Sequence, residues 1–139
     1  MSSDSQRIAT VLVADSDEDN LCLLNSVLAL KGFDVLAAND GQEVVDLATR
    51  RRPDLILIDL KLPIISGFTA IRRIKKLASL RDIPIIATSL SKPTSHRQLA
   101  LAAGCAAHLD KPVDFDQLDA LIDQFLPGYR WELASALVH

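Results

Sequence analysis

Leu55 to Ile58 is apolar without a break, bounded by Pro53-Asp54 before it and Asp59 after it. Four residues are too few for a helix. A strand with no polar position has to be covered on both faces, as strands in parallel sheets are. The rest of the chain supplies that cover by alternating short apolar runs with longer helical patterns. Ile8 to Ala14 reads as a strand. Glu18 to Lys31 reads as a helix, with Leu21, Leu24, Val27, Leu28 and Leu30 at helical spacing and Gly32 just past its end. Phe33 to Ala38 is a second strand, and Gln42 to Arg52 a helix stopped by Pro53. Beyond Leu55–Ile58 the pattern predicts a helix over Ser66 to Leu77, with Phe68, Ile71 and Ile74 inward and Arg72, Arg73, Lys75 and Lys76 outward. A strand over Pro84 to Thr88 and a helix over Thr94 to Ala103 follow. A weak strand over Cys105 to Leu109 comes next, then a helix capped by Asp114 or Asp116 that runs to about Leu126. Five strand–helix repeats imply an α/β domain with a parallel sheet and helices on both faces.

Composition narrows the function classes. At 139 residues there is room for one ordinary domain, and 49% hydrophobic residues supply a core, which argues against a disordered chain. Fifteen basic against eighteen acidic residues give a net charge of −3, so charge does not point to nucleic acid or to a membrane surface. Cys22 and Cys105 make neither a disulfide framework nor a metal cluster. The polar start, Met1 to Arg7, lacks the apolar stretch of a signal peptide, and no apolar run approaches the ~20 residues of a membrane span. The expectation is a soluble cytoplasmic protein with a flexible N-terminus (1–7), one domain (8–126) and a tail (127–139). Within that tail Trp131, Leu133, Ala134 and Leu137 have helical spacing.

In parallel α/β sheets, ligands bind at the carboxyl ends of the strands. There the chain places Asp15-Ser16-Asp17-Glu18-Asp19 after the first strand, Asp59 after the third, Ser89 after the fourth and Lys111 after the fifth. Singly, these are helix caps, turn formers and solvated ions. Together they are carboxylates that suit a hard divalent cation, facing an ammonium and a hydroxyl that suit an oxyanion. A divalent metal with a phosphoryl group satisfies both halves.

These residues resemble the response-regulator receiver domain, the phospho-acceptor module of two-component signalling, in its stand-alone form. The resemblance covers roughly residues 8–126. It is carried by Val11-Leu12-Val13-Ala14-Asp15, Pro53-Asp54-Leu55-Ile56-Leu57-Ile58-Asp59, Pro63 and Gly67, Pro84 to Ser89, and Gly104 with Lys111-Pro112. It implies a flavodoxin-like sheet of order 2-1-3-4-5. Asp59 would be the nucleophile that accepts a phosphoryl group from a histidine kinase or phosphotransfer protein. Asp15, Asp59 and the Lys61 carbonyl would hold Mg²⁺, and Ser89 and Lys111 would bind phosphoryl oxygens. It further implies a cis Lys111-Pro112 peptide. The module would be a signalling protein rather than an enzyme acting on a separate substrate, although it catalyses its own phosphorylation and dephosphorylation. A downstream protein partner would bind the face made by the fourth helix, fifth strand and fifth helix, with Thr94 to Ala103 and His108 in that surface. Neither nucleic acid nor membrane is an expected partner, and the chain would be a monomer or a weak homodimer.

The sequence departs from the family in three places. Ser16 stands where a second acidic residue usually ligates the metal. A unit charge pair at 4 Å is worth about 4 kcal/mol at an effective dielectric near 20, before desolvation offsets it. Either Ser16 or Asp17 is the candidate for that ligand position. His108 stands where a Tyr or Phe often swings inward on activation, and it reads either as part of that switch with Ser89 or as a partly exposed surface histidine. Leu90 follows Ser89 where a small residue is common, and it would narrow access to Asp59.

Two alternatives share these residues: a receiver-shaped module that binds partners without phosphorylation, and a haloacid-dehalogenase-type phosphatase with Asp15 as nucleophile. The phosphatase lacks the acidic pair it needs after the lysine. An EF-hand reading of Asp15 to Ser26 fails because Asn20 and Ser26 occupy the positions that need Gly and Glu. Arg72, Arg73, Lys75 and Lys76 carry no interleaved aromatics and read as a solvated helix face, while Arg50 to Arg52 suit a helix C-terminus.

Overall fold

Residues 8–92 and 94–127 are described by a computed structural model. The predicted flexible N-terminus, Pro93 and the tail from Gly128 onward lie outside the described residues. The strands are β1 (Thr10–Ala14), β2 (Asp34–Ala38), β3 (Leu55–Asp59), β4 (Ile85–Leu90) and β5 (Ala107–Lys111). Between and after them run helices α1 (Glu18–Leu30), α2 (Gly41–Arg51), α3 (Gly67–Lys76), α4 (Ser95–Ala103) and α5 (Phe115–Phe125). All strand pairings are parallel and the sheet order is β2-β1-β3-β4-β5, the flavodoxin-like arrangement.

Alternation along the central strand builds two cores. Ile56 and Ile58 pack with Val44 and Ala48 of α2, Ile71 and Ile74 of α3, and Ala100 of α4. Leu55 and Leu57 pack on the other face with Leu24 and Leu28 of α1 and Leu118 and Ile122 of α5. The four apolar side chains of β3 are buried, each contributing roughly 2 kcal/mol relative to exposure, so a charge at Ile56 or Leu57 would break one layer outright.

The helix starts gather along the carboxyl edge of the sheet. Asp17, Asp40, Ser66 and Asp114 cap α1, α2, α3 and α5 with side-chain oxygens that accept backbone N–H groups. Three strands extend past their predicted ends, β3 by one residue to Asp59 and β4 and β5 by two each. β4 continues through Ser89 and Leu90, and β5 through Asp110 and Lys111, because the two strands pair with each other there (Ser89 with Asp110, Leu90 with Lys111). The ladder therefore outlasts the apolar pattern, and it delivers Ser89 and Lys111 from strands rather than from loops. At the other end β5 begins at Ala107 rather than Cys105, and β1 begins at Thr10, leaving Ile8 exposed. Among the described residues no helix is long and apolar enough to cross a membrane.

Candidate functional site

A cleft of about 850 Å³ opens at the carboxyl edge, with Asp15, Asp59, Lys61, Ser89 and Lys111 in its lining. Asp59 ends β3 and Asp15 follows β1, the strand that pairs with β3, so the register brings the two buried carboxylates side by side. Lys111 Nζ lies 2.7 Å from Asp59 Oδ2 and 2.9 Å from Asp15 Oδ2 and bridges them. The other Asp59 oxygen, Oδ1, accepts the Lys61 backbone N–H at 2.9 Å, and Asp15 Oδ1 accepts that of Asp17 at 2.8 Å. The Lys111–Pro112 peptide is cis.

Gly67 lets this floor exist. A methyl group there would strike the Asp59 carbonyl and lie 2.6 Å from Leu60 Cα, so only glycine lets the first turn of α3 sit against the end of β3.

Burial pushes the Asp59 carboxyl above its ordinary range, and the neighbouring Asp15 charge adds to this. The bonds from Lys111 and the Lys61 N–H work against it without cancelling it. Burial alone would lower the Lys111 ammonium, but its bonds to Asp59 and Asp15 outweigh that and raise it. Lys111 therefore stays charged at neutral pH.

The oxygen donors suit a hard cation. Asp15, Asp59 and the Lys61 carbonyl supply two carboxylates and a carbonyl, and Mg²⁺ commonly takes one or two carboxylates and keeps several waters. Among the described residues no three His, Cys, Asp or Glu side chains gather in metal-binding geometry, so the carbonyl and water would have to complete such a shell. Of the two candidates for the missing ligand, Ser16 is at the site, its hydroxyl 3.4 Å from the Lys61 carbonyl oxygen it donates to. Asp17 is committed elsewhere. Its Oδ1 accepts the N–H groups of Asp19 at 2.9 Å and Asn20 at 3.2 Å, because a carboxylate at this position is the N-cap that α1 requires.

The β4–β5 side is built differently. Ser89 Oγ lies 3.1 Å from the Leu90 carbonyl oxygen and 2.6 Å from His108 Nε2. His108 is not the partly exposed surface histidine of the alternative reading, nor can it belong to a partner surface. Its side chain is 1% exposed, because it pairs with Ala87 and shares that residue's buried face of the sheet, whereas Asp110, two residues on along the same face, is 57% exposed near the strand's end. Burial lowers the affinity of its ring for a proton. Asp110 opposes that effect, and Arg97 and His96 reinforce it. Leu90 is 65% exposed and lines the cleft mouth.

Sequence reasoning misses one wall. Phe68, expected only in the core, meets His96 of α4 edge-on, with ring centroids 6.0 Å apart, and both line the cleft. The position of Phe68 in the first turn of α3, directly after Gly67, is the signal that could have found it. On the opposite wall Leu23, Val113 and Phe115 give the cleft an apolar side.

Comparison with known proteins agrees with this arrangement. The response regulator receiver domain family matches residues 11–123. The polar-differentiation response regulator DivK of Brucella anthropi is 30% identical over 117 residues, spanning 84% of this chain and 95% of that protein. The receiver domain of the sensor histidine kinase PA1611 from Pseudomonas aeruginosa PAO1 was solved with a magnesium ion coordinated in its active site cleft. It superposes with a TM-score of 0.80 at 28% identity, covering 86% of this chain and 98% of that one. The receiver domain of Ssk1 from Saccharomyces cerevisiae, solved in complex with the histidine phosphotransfer protein Ypd1, gives 0.77 at 28% identity, covering 85% and 88%. With sheet order, strand-end residues and family match in agreement, this chain belongs to the response regulator receiver domain family of two-component signalling.

Proposed function

We propose that this chain is a phospho-acceptor signalling module in which Asp59 takes a phosphoryl group from a phosphohistidine on a kinase or phosphotransfer protein. The observation that carries this is the Lys111 ammonium seated between the Asp15 and Asp59 carboxylates at the base of an open cleft. An Asp59 oxygen forms the new O–P bond as the N–P bond of the phosphohistidine breaks, and that bond's electron pair leaves with the imidazole nitrogen. Lys111 already touches the attacking carboxylate and offers its charge to the oxygens that arrive. The Lys61 N–H fixes the rotation of the carboxylate, and Ser89, the β4 hydroxyl that lines the cleft, would bond a phosphoryl oxygen. Mg²⁺, held by Asp15, Asp59 and the Lys61 carbonyl, would neutralise phosphoryl oxygen charge. Support comes from the Ssk1 receiver, solved with a histidine phosphotransfer protein, and from the PA1611 receiver, solved with magnesium in its active site cleft.

The α4–β5–α5 face is the proposed output surface, and α4 leaves Leu99 and Leu101 exposed. The chain is proposed to act in the cytoplasm, where a histidine kinase's phosphohistidine would be presented. Incubation with a small phosphodonor and Mg²⁺, followed by intact mass, tests the reading. One phosphoryl adduct is expected, absent in Asp59→Asn. An adduct that survives Asp59→Asn but is lost in Asp15→Asn would instead indicate phosphatase-type chemistry. No adduct from donor or kinase would leave a phosphorylation-independent binding module.

A further inference from the structure

The Ser89 hydroxyl has one proton and two partners, the Leu90 carbonyl oxygen and His108 Nε2. A carbonyl only accepts. Both contacts are satisfied when Ser89 donates to Leu90 and His108 Nε2–H donates to Ser89, which assigns the ring tautomer from the network. Nδ1 is then a buried lone pair with no hydrogen-bond partner, 3.7 Å from the Asp110 carboxylate. Among the described residues no hydrogen bond joins Ser89 to Asp59 or Lys111, whose ammonium is occupied by the two carboxylates.

We infer that His108 is a positioning residue that holds the Ser89 hydroxyl off Asp59, so that a phosphoryl group on Asp59 can recruit Ser89 only by breaking the Ser89–His108 hydrogen bond, and that protonation of His108 tightens this hold. The inference rests on the phospho-acceptor reading of Asp59. It differs from an inward swing of position 108, because the ring is already inside. If Ser89 turns toward the cleft, Nε2–H is left as a buried donor without a partner, which is costly for a neutral ring and costlier for a charged one. A cavity of about 160 Å³ beside the ring, lined by Leu90, Ser91, Thr94, Arg97, His108 and Asp110, gives the imidazole room to turn after release.

The sign of the pH effect follows from the groups around the ring. Asp110 on β5 favours the imidazolium, Arg97 and His96 on α4 disfavour it, and β4 presents no ionisable side chain. At neutral pH the ring is neutral and can move its proton between nitrogens as Ser89 leaves. On acidification the second proton goes to Nδ1, facing Asp110. Both nitrogens are then donors, Nε2–H is committed to Ser89, and release becomes harder.

The test is titration with beryllofluoride and Mg²⁺, followed by amide shifts, for the unaltered protein, His108→Phe and His108→Gln. His108→Phe removes one net hydrogen bond from the resting state, so it should bind roughly 5-fold more tightly near neutral pH. Lowering the pH from about 7.5 to about 5, because burial holds the ring's proton affinity below the ordinary histidine value of 6.5, should weaken binding several-fold more in the unaltered protein than in His108→Phe. Titration of Asp59 is common to both and cancels. His108→Gln keeps a donor without titrating, so it should match the unaltered affinity near neutrality and the flatter profile of the Phe variant. Equal affinities with parallel pH profiles would overturn the inference and leave the acceptor reading standing. Absence of binding in all three folded proteins would overturn both. Should the variants fail to fold, the ring ¹⁵N shifts of the unaltered protein decide. A protonated Nε2 whose shift changes with beryllofluoride supports the hold, and ring shifts that do not move refute it.

Discussion

Asp59 and Ser89 sit one register step apart on adjacent strands, since Asp59 pairs with Thr88, yet their side chains are held in opposite ways. The Asp59 carboxylate has a partner on each oxygen, a bridging ammonium shared with Asp15, and a glycine-dependent helix turn pressed against its own backbone. The Ser89 hydroxyl is held by its own neighbour's carbonyl and by a histidine whose second nitrogen has no partner. One side of the cleft is braced by charge and by backbone contact, the other by a pair of neutral hydrogen bonds beside a cavity. The proposed phospho-acceptor role calls for that asymmetry: a nucleophile held in one orientation for in-line attack, and a responder cheap enough to move that a phosphoryl group can shift its population.

The largest expected effect strikes the braced side. Lys111→Met leaves two buried carboxylates facing each other without a counter-charge and should cost about 3 kcal/mol of stability near neutral pH. Asp59 already has a folded-state pKa above its ordinary value near 3.8, and losing the Lys111 bond raises it further. A group whose folded pKa is raised contributes stability below its unfolded pKa that is lost as pH rises through the folded value. The deficit of Lys111→Met should therefore shrink as the pH falls from neutral toward about 4, as urea unfolding at several pH values would show. A deficit independent of pH would mean that the lysine stem, not its charge, does the bracing. Next in size, Gly67→Ala should lose about 2 kcal/mol by overpacking against Asp59 and Leu60. Unchanged denaturation would show that α3 moves freely and that the acceptor side is less braced than its contacts indicate. The smallest effect concerns the corner where charge is missing. Ser16→Asp should bind Mg²⁺ about 10-fold more tightly, equivalent to about 1.4 kcal/mol, by calorimetric titration. Equal affinities would place the missing ligand elsewhere and bring this corner up to the standard of the Asp59 side.

Much of the braced side is legible in the amino-acid sequence alone. The unbroken Leu55–Ile58 run and the alternation around it specify a parallel sheet covered on both faces. Counting strand ends places Asp15, Asp59, Ser89 and Lys111 on one edge. Periodicity is a local property, written residue by residue, which is why it can be read without coordinates. The ends of β4 and β5 are not legible, because their last rungs are held by pairing to each other rather than by apolar side chains. Nor is the fate of Asp17, since helix cap and metal ligand call for the same carboxylate and only geometry separates them. The state of His108 is furthest from reach. Its burial, its bond to Ser89 and its unpartnered nitrogen depend on strands that meet only after folding, where the cost of burying a polar atom is set by neighbours nineteen residues away in the chain.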